Sequence, residues 1–463
     1  MIQAELSFEF SGRKSGYDSE IESSRDIAEI NNLSSISLFA SAGIGELGLR
    51  ASGLNTLCAN ELIDYRVQMF RENFPECPII SGDIWEMRDE IINCAKKSMS
   101  EDNIFLVYAT PPCQGMSSNG LGKLKSEVNK GNRPKEDPRN RLIIPTLDIV
   151  NRLKPKWILF ENVPGMKNTA IVDESGKVVN ILSYIRDRLG PEYIGRAEVV
   201  ACSDFGVPQS RKRLITIYTR DERGKKYFKS NNQSFFHPNM KESVRTLRSA
   251  IGHLPSLDAK SEGKLSSDIH PYHRIRPMNP KKYWWVSHTK EGDTAFNNQC
   301  ISQGCRSTSN IGHIERSIDG AFRQDRSSPI YCVECGSLLP RPTVTEKDGE
   351  IRLMKGFHSA YRRMKWDEPA RTLTQNFIYE ASDNKIHPEQ NRVLSVYEAM
   401  VLQTIDRYGY KFEIEGKCIG EPKIAEVIGE SVPPYLIEKI IKKMVSISFD
   451  SCSGESPFDS SKL

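Results

Sequence analysis

From Ile36 to Thr219 short apolar runs alternate with longer amphipathic ones, and this alternation constrains the fold more than any other feature. ISLFA (36–40), TLCAN (56–60), PIISGD (78–83), IFLVYAT (104–110) and KWILFE (156–161) read as strands. LGLRASGL (47–54), LIDYRVQMFRENF (62–74), a stretch near 84–99 and LIIPTLDIVNRLK (142–154) read as helices between them. Strands alternating with helices indicate parallel pairing through crossovers, so the pattern predicts an α/β fold with a sheet covered on both faces. AEVVA (197–201) and RLITIYT (213–219) follow without a helix between them and read as an antiparallel pair added to the sheet.

The 463 residues suffice for two or three domains, and 38% hydrophobic against 27% charged residues describes a folded chain. A polar leader is expected at 1–32, a first domain at 33–225, a loop-rich insertion at 226–370, a return to the first domain at 371–446 and a frayed tail at 447–463. Eleven cysteines with no secretory signal at Met1–Phe10 suggest a reducing, cytoplasmic setting, with thiols or metal ligands rather than disulfides. No apolar run approaches the roughly 20 residues of a membrane span, so no membrane partner is expected. A net charge of +4 permits nucleic-acid binding without arguing for it.

The chemistry-bearing residues gather at the ends of the expected strands. Pro111 and Pro112 stop the strand at 104–110 and place Cys113 in a rigid loop, at the sheet edge where α/β proteins bind ligands. A lone cysteine there would ordinarily be structural. The small-residue turn in FASAGIGELGL (39–49) would let backbone approach a ligand. Glu61 stands where a ribose acceptor is found, and Asp83 closes the next strand. Each carboxylate alone reads better as a solvated loop residue.

FASAGIGELGL, TPPCQGMSS (110–118), FENVPG (160–165), DFGVPQSRKR (204–213), PARTLTQN (369–376) and IGESVPPYLIEKI (428–440) occur in this order. Together they resemble the ordered motif set of the DNA cytosine-5 methyltransferases, over roughly 36–220 and 370–445. The resemblance implies an S-adenosylmethionine-dependent, Rossmann-like fold with a mixed, mostly parallel sheet, and a smaller target-recognition domain inserted at 226–370. It implies Cys113 as the nucleophile that adds to cytosine carbon 6, since a thiolate is strongly nucleophilic near neutral pH. Glu161 would protonate or hydrogen-bond ring nitrogen 3, and Arg211 and Arg213, expected on one strand face, would hold the base and the carboxylate. Phe39, Ala42, Gly43, Gly45, Glu61, Asp83, Pro111, Ser431 and Val432 would line the S-adenosylmethionine site. Three positions depart from the family pattern: Ser41 replaces a usual glycine, Met116 a usual phenylalanine, and Glu430 a usual asparagine.

Within the insertion, Cys300, Cys305, Cys332 and Cys335 form a C-x4-C…C-x2-C array. Four thiolates suit a closed, structural zinc site of the zinc-ribbon kind; free cysteines in a loop-rich domain are the alternative, and His313 is a less apt ligand. HPYHRIRPMNPKKYWW (270–285) and KGFHSAYRRMKW (355–366) interleave basic and aromatic residues, suited either to DNA or to a packed cluster with a basic rim. The whole reads as a monomeric modification enzyme that flips a cytosine out of double-stranded DNA, alongside a cognate restriction endonuclease at the nucleoid. A transfer-RNA cytosine-5 methyltransferase and a non-catalytic nucleic-acid-binding regulator are the rival readings.

Overall fold

A computed structural model describes residues 33–99, 104–112, 137–231, 234–312, 315–318, 321–324, 328–354, 359–382 and 384–449. The expected leader, Cys113, Met116 and His313 lie outside these residues. The first domain runs β1 (Ser34–Leu38), α1 (Glu46–Ala51), β2 (Asn55–Glu61), α2 (Asp64–Asn73), β3 (Ile79–Ser81), α3 (Ile84–Ser98), β4 (Leu106–Ala109), α4 (Ile143–Leu153) and β5 (Trp157–Asn162). A small hairpin, β6 (Ala170–Val172) and β7 (Val178–Asn180), leads into α5 (Ile181–Leu189), β8 (Ile194–Ala201), β9 (Lys212–Thr219) and α6 (Glu222–Ser230).

Seven strands form one sheet in the order β3-β2-β1-β4-β5-β9-β8. The first five are mutually parallel, and β9 is antiparallel to both β5 and β8, with Glu161 opposite Ile215. This is the mixed, mostly parallel sheet that the alternation and the closing pair predict. Every residue of β4 and β5 is buried, as expected for central strands that are apolar on both faces. One face carries Ile36, Val107 and Ile158 against Ile91, Ile149 and Ile185 of α3, α4 and α5. The other carries Leu106, Leu159 and Ile217 against Ile437, Ile440, Ile441 and Met444. Those last four belong to a helix late in the chain, so segments from both ends of the described residues share one core.

Beyond β9 come α7 (Leu247–Ile251), α8 (Pro280–Ser287), the hairpins β10 (Glu315–Ile318)/β11 (Ala321–Gln324) and β12 (Thr343–Thr345)/β13 (Ile351–Leu353), then α9 (Val396–Leu402), α10 (Glu421–Glu430) and α11 (Pro434–Phe449). Apolar clusters run across the expected boundaries. Phe228 and Phe235 lie in the cluster beneath the sheet, and Leu247, Ala250, Ile251 and Leu254 pack with Trp366, Leu373 and Ile424. A second lobe has a cluster of its own from Ala259 to Ile386, around Trp285, Phe296 and Tyr361. At the other end α11 continues past 446 to Phe449, where Trp157 Nε1 donates to Ser448 Oγ at 2.9 Å. Among the described residues no helix is long and apolar enough to cross a membrane.

Candidate functional site

The carboxyl ends of β1, β2, β4 and β5 meet at one edge of the sheet. Thr110 Oγ1 donates to the Phe39 carbonyl (2.9 Å), and Asn162 Nδ2 donates to the Pro111 carbonyl (3.0 Å). The loop that leads to Cys113 is therefore anchored to both neighbouring strand ends, two residues before the thiol. Glu161, next to Asn162, is 7% exposed, and Arg213 Nε stands 2.5 Å from its Oε1. Among the described residues no hydrogen bond of standard geometry reaches Oε1, and the Arg213 guanidinium lies against it as a buried ion pair. The carboxylate keeps further lone pairs for a ligand.

Arg211 has other partners. Its guanidinium is buried, with Nη1 donating to the Leu373 carbonyl (3.0 Å) and Nη2 to the carbonyls of Gly429 (3.0 Å) and Glu430 (3.5 Å). The pair expected on one strand face is thus divided: Arg213 serves Glu161, and Arg211 ties the strand to the chain's C-terminal part.

At the end of β2, Glu61 is pinned by two backbone donors, Ser41 N to Oε2 (2.8 Å) and Ile63 N to Oε1 (2.9 Å). Each oxygen keeps a second acceptor site. Asp83 Oδ1 caps α3 by accepting from Trp85 N (2.9 Å). Beside Glu61 the side chains of Leu62 and Ile63 are exposed, Leu62 by 62%. Fixed carboxylates flanked by uncovered apolar side chains fit a ribose and a heterocycle, so this edge suits a nucleoside-like ligand.

The turn itself has local reasons for its residues. Gly43 has φ +84, and a Cβ there would lie 2.6 Å from the Phe74 ring; a Cβ at Gly45 would lie 2.6 Å from Tyr108 Oη. These glycines are demanded by the packing beneath them. Ala42 is buried, its carbonyl accepting from Tyr410 Oη (2.5 Å). Phe39 and Ser41 both take left-handed backbone (φ 60 and 48), which accounts for glycine being usual at position 41. Glu430 sends its Oε2 to Arg66 Nη2 (2.8 Å), which also meets Glu426 Oε1 (2.5 Å), so one guanidinium is shared between two carboxylates and offsets the added charge in part. Ser431 and buried Val432 form the corner between α10 and α11; Ser431 accepts from Gln403 Nε2 through both its carbonyl and its Oγ (2.8 Å each).

In the second lobe the sulfurs of Cys300, Cys305, Cys332 and Cys335 all lie within 4.8 Å of one another. Cys300 and Cys335 are 3.6 Å apart, Cys305 and Cys332 3.8 Å. A zinc ion ~2.3 Å from each of four tetrahedral thiolates would hold them ~3.8 Å apart, so the spacing fits such a site. Backbone N–H groups of Cys335 and Glu334, together with the Asn310 amide, bring the Cys332 thiol down to about 6 against the cost of burial. Buried Arg341 holds the frame, donating to the carbonyls of Asn298 (2.8 Å), Ile311 (2.7 Å) and Pro329 (2.8 Å).

Residues 33–446 match the model of the C-5 cytosine-specific DNA methylases. The type II methyltransferase M1.HgaI of Avibacterium volantium is 30% identical over 424 residues, covering 89% of this chain and 98% of that protein. The type II methyltransferase M1.HphI of Haemophilus parahaemolyticus is 24% identical over 417 residues, covering 90% and 88%. Among solved structures, a mutant of Spodoptera frugiperda DNMT2 aligns with TM-score 0.50 and 15% identity over 89% of this chain and 99% of that one, a likeness of fold. The sheet order, the family match and the full-length relative together make this chain a member of the C-5 cytosine-specific DNA methylases, a DNA cytosine-5 methyltransferase of the prokaryotic restriction–modification type that draws its methyl group from S-adenosylmethionine.

Proposed function

We propose that the enzyme methylates one cytosine within a specific double-stranded DNA sequence, after flipping that base into the edge formed by β4 and β5. The observation that carries this reading is buried Glu161 at the sheet edge, ion-paired with Arg213 and joined through Asn162 to the Pro111 loop. Cytosine carbon 5 is a weak nucleophile, and carbon 6 is out of reach while the base is stacked. Cys113, as thiolate, forms a bond to carbon 6, and the ring's electron pair moves toward carbon 5. Glu161 gives a proton or hydrogen bond to nitrogen 3, relieving the charge that the addition creates. Arg213 holds that carboxyl in place.

S-adenosylmethionine, when bound, supplies an electrophilic sulfonium methyl to carbon 5. Glu61 would accept from its ribose, Asp83 would face the adenine, and Phe39, Ala42, Gly43, Gly45, Pro111, Ser431 and Val432 would border it. After transfer, a solvent base takes the carbon 5 proton, and the freed electron pair re-forms the carbon 5–carbon 6 double bond. The carbon 6–sulfur bond breaks to release the Cys113 thiolate, and nitrogen 3 returns its proton to Glu161. The second lobe reads the DNA sequence, and the four cysteines hold a structural zinc that stiffens it. Monomeric and cytoplasmic, the enzyme protects host DNA from a cognate endonuclease, as befits the type II relatives.

The test begins by mapping 5-methylcytosine in DNA from a host expressing the protein. A duplex with 5-fluorocytosine at the mapped position should then trap the enzyme, because fluorine cannot leave as a cation. The expected product is a denaturation-resistant protein–DNA adduct that needs S-adenosylmethionine. Cys113→Ser should abolish it, and Glu161→Gln should slow it by roughly 10²–10⁴-fold. An adduct that forms equally well with Cys113→Ser would end this reading.

A further inference from the structure

Three segments far apart in sequence meet beneath the strand end that carries Arg213. The loop 208–211 pairs with the segment leaving the second lobe: Ser210 N donates to the Ala370 carbonyl (2.8 Å), and Ala370 N donates to Pro208 (3.0 Å). Two wholly buried glutamines continue the connection. Leu373 N donates to Gln209 Oε1 (3.0 Å), and Gln209 Nε2 donates to Gln403 Oε1 (2.7 Å) and to the Leu402 carbonyl (3.3 Å). Gln403 Nε2 then reaches Ser431 at the α10–α11 corner.

The orientation of both amides is fixed by the backbone. A backbone N–H at the Leu373 end can only donate, so Gln209 turns its oxygen there. The carbonyls of Leu402 and Ser431 can only accept, so both NH2 groups point toward the corner. The chain of bonds therefore runs one way, with every donor matched. Arg211 runs alongside it, from Leu373 to Gly429 and Glu430. A Cβ at Gly429 would fall 2.2 Å from Gln375 N, so the corner lies directly on the same segment.

A second observation sets Gln403 apart. Thr404, the next residue, is buried with φ 64, a left-handed conformation that a β-branched side chain takes only under constraint. Such strain persists where the surroundings over-determine it. Its Oγ1 donates back to the Gln403 carbonyl (2.6 Å) and accepts from Tyr435 N (3.3 Å) in the first turn of α11.

We propose that Gln209 and Gln403 are positioning residues for methyl transfer: their polarised relay fixes the Ser431–Val432 corner, on the cofactor side, relative to the strand that presents Arg213 to Glu161. This rests on the function proposed above. The relay touches neither substrate, so its contribution lies in distance and angle between the methyl donor and the ring. A displacement of about 1 Å between reacting groups costs on the order of 10²-fold in rate.

The experiment measures single-turnover methyl transfer from labelled S-adenosylmethionine to unmodified bacteriophage genomic DNA, at saturating cofactor and well below the melting temperature of every variant. Gln209→Met and Gln403→Met should each slow transfer roughly 10- to 100-fold, while cofactor and DNA affinities stay within about threefold. The double variant should be no slower than the worse single one, because the relay acts as a unit. Should Gln403→Met fail to fold, Gln403→Glu has the same size and still accepts from Gln209 Nε2. It loses the N–H bonds to Ser431 and should show the same slowing. A wild-type rate in either Gln403 variant, additive losses, or a rate loss matched by an equal loss of cofactor affinity would overturn the proposal. Transfer that survives in Cys113→Ser would instead remove the underlying mechanism and leave the relay without its role.

Discussion

Glu46 illustrates how one buried carboxyl shapes a site it does not enter. It lies in the first turn of α1, directly beneath the glycine turn, and Ser37 Oγ donates to its Oε1 at 2.5 Å. Burial raises its pKa from 4.5 to about 7, against the pull of the Ser37 and backbone hydrogen bonds and with a small push from Glu61. Between those two values the unfolded chain has released the proton that the folded chain keeps. Stability is therefore full below about 4.5 and is lost as pH rises toward 7, a change on the order of 3 kcal/mol. Glu46→Gln keeps an acceptor for Ser37 and has no proton to lose. At pH 8 it should stabilise the protein by roughly 2–3 kcal/mol and at pH 4 hardly at all, as read by denaturant melts across that range. A variant whose melts show the wild-type slope would mean that Glu46 does not carry it. Ser41 and Glu430 belong to the same scale: each departs from the family pattern, and each is absorbed locally, one by a tolerated left-handed backbone and one by Arg66.

At the scale of elements, α11 shows what periodicity can and cannot give. Its amphipathic pattern is legible from Tyr435 onward, yet its last turn reads as a polar tail, because Ser446 and Ser448 break the apolar stripe. Ser448 is there to receive the indole N–H of Trp157, and Phe449 stacks on Phe105 with ring centres 6.3 Å apart. Ser448→Ala leaves that buried N–H without a partner and should cost about 1–3 kcal/mol, with the unfolding midpoint as its measure. An unchanged midpoint would show that water replaces the hydroxyl freely. The central sheet was legible because β4 and β5 are apolar on both faces and bounded by Pro, Gly and charged residues. Glu61 and Asp83 could be placed because strand ends define the edge. The division of labour between Arg211 and Arg213 could not be read, since it depends on carbonyls 162 and 218 residues away. Gln209 and Gln403 carry no sequence signal for the same reason. The buried, bidentate pair of Arg392 with Glu398 leaves a local trace, the S-x-x-E capping box at Ser395–Glu398 that starts α9.

Taken whole, the molecule divides its stability unevenly. The first domain has two extensive apolar clusters on the faces of its sheet, whereas the second lobe has one smaller cluster and a separate knot of Cys300, Cys332 and Leu339. A lobe of short hairpins and loops lacks the core to fix such a knot by burial alone, and bound zinc would supply what is missing. Arg341 complements this: burial lowers its pKa to about 10, and its donors bind carbonyls on both sides of the cysteines. Metal analysis of the purified protein should therefore find about one zinc per chain. Stripping the metal, or making Cys332→Ser, should loosen the second lobe and weaken binding to the mapped target duplex. The affinity for S-adenosylmethionine should hold, because Glu61, Asp83 and the Ser431 corner rest on the first domain. The salt dependence of DNA binding should flatten as well, since fewer phosphates are engaged when the lobe's basic residues lose their places. Arg341→Met should reproduce the loosened lobe with the metal still bound, because it removes the carbonyls' partner and spares the thiolates. Metal-free protein that binds its target with full specificity would show that the four cysteines stand close for packing, and that specificity needs no metal.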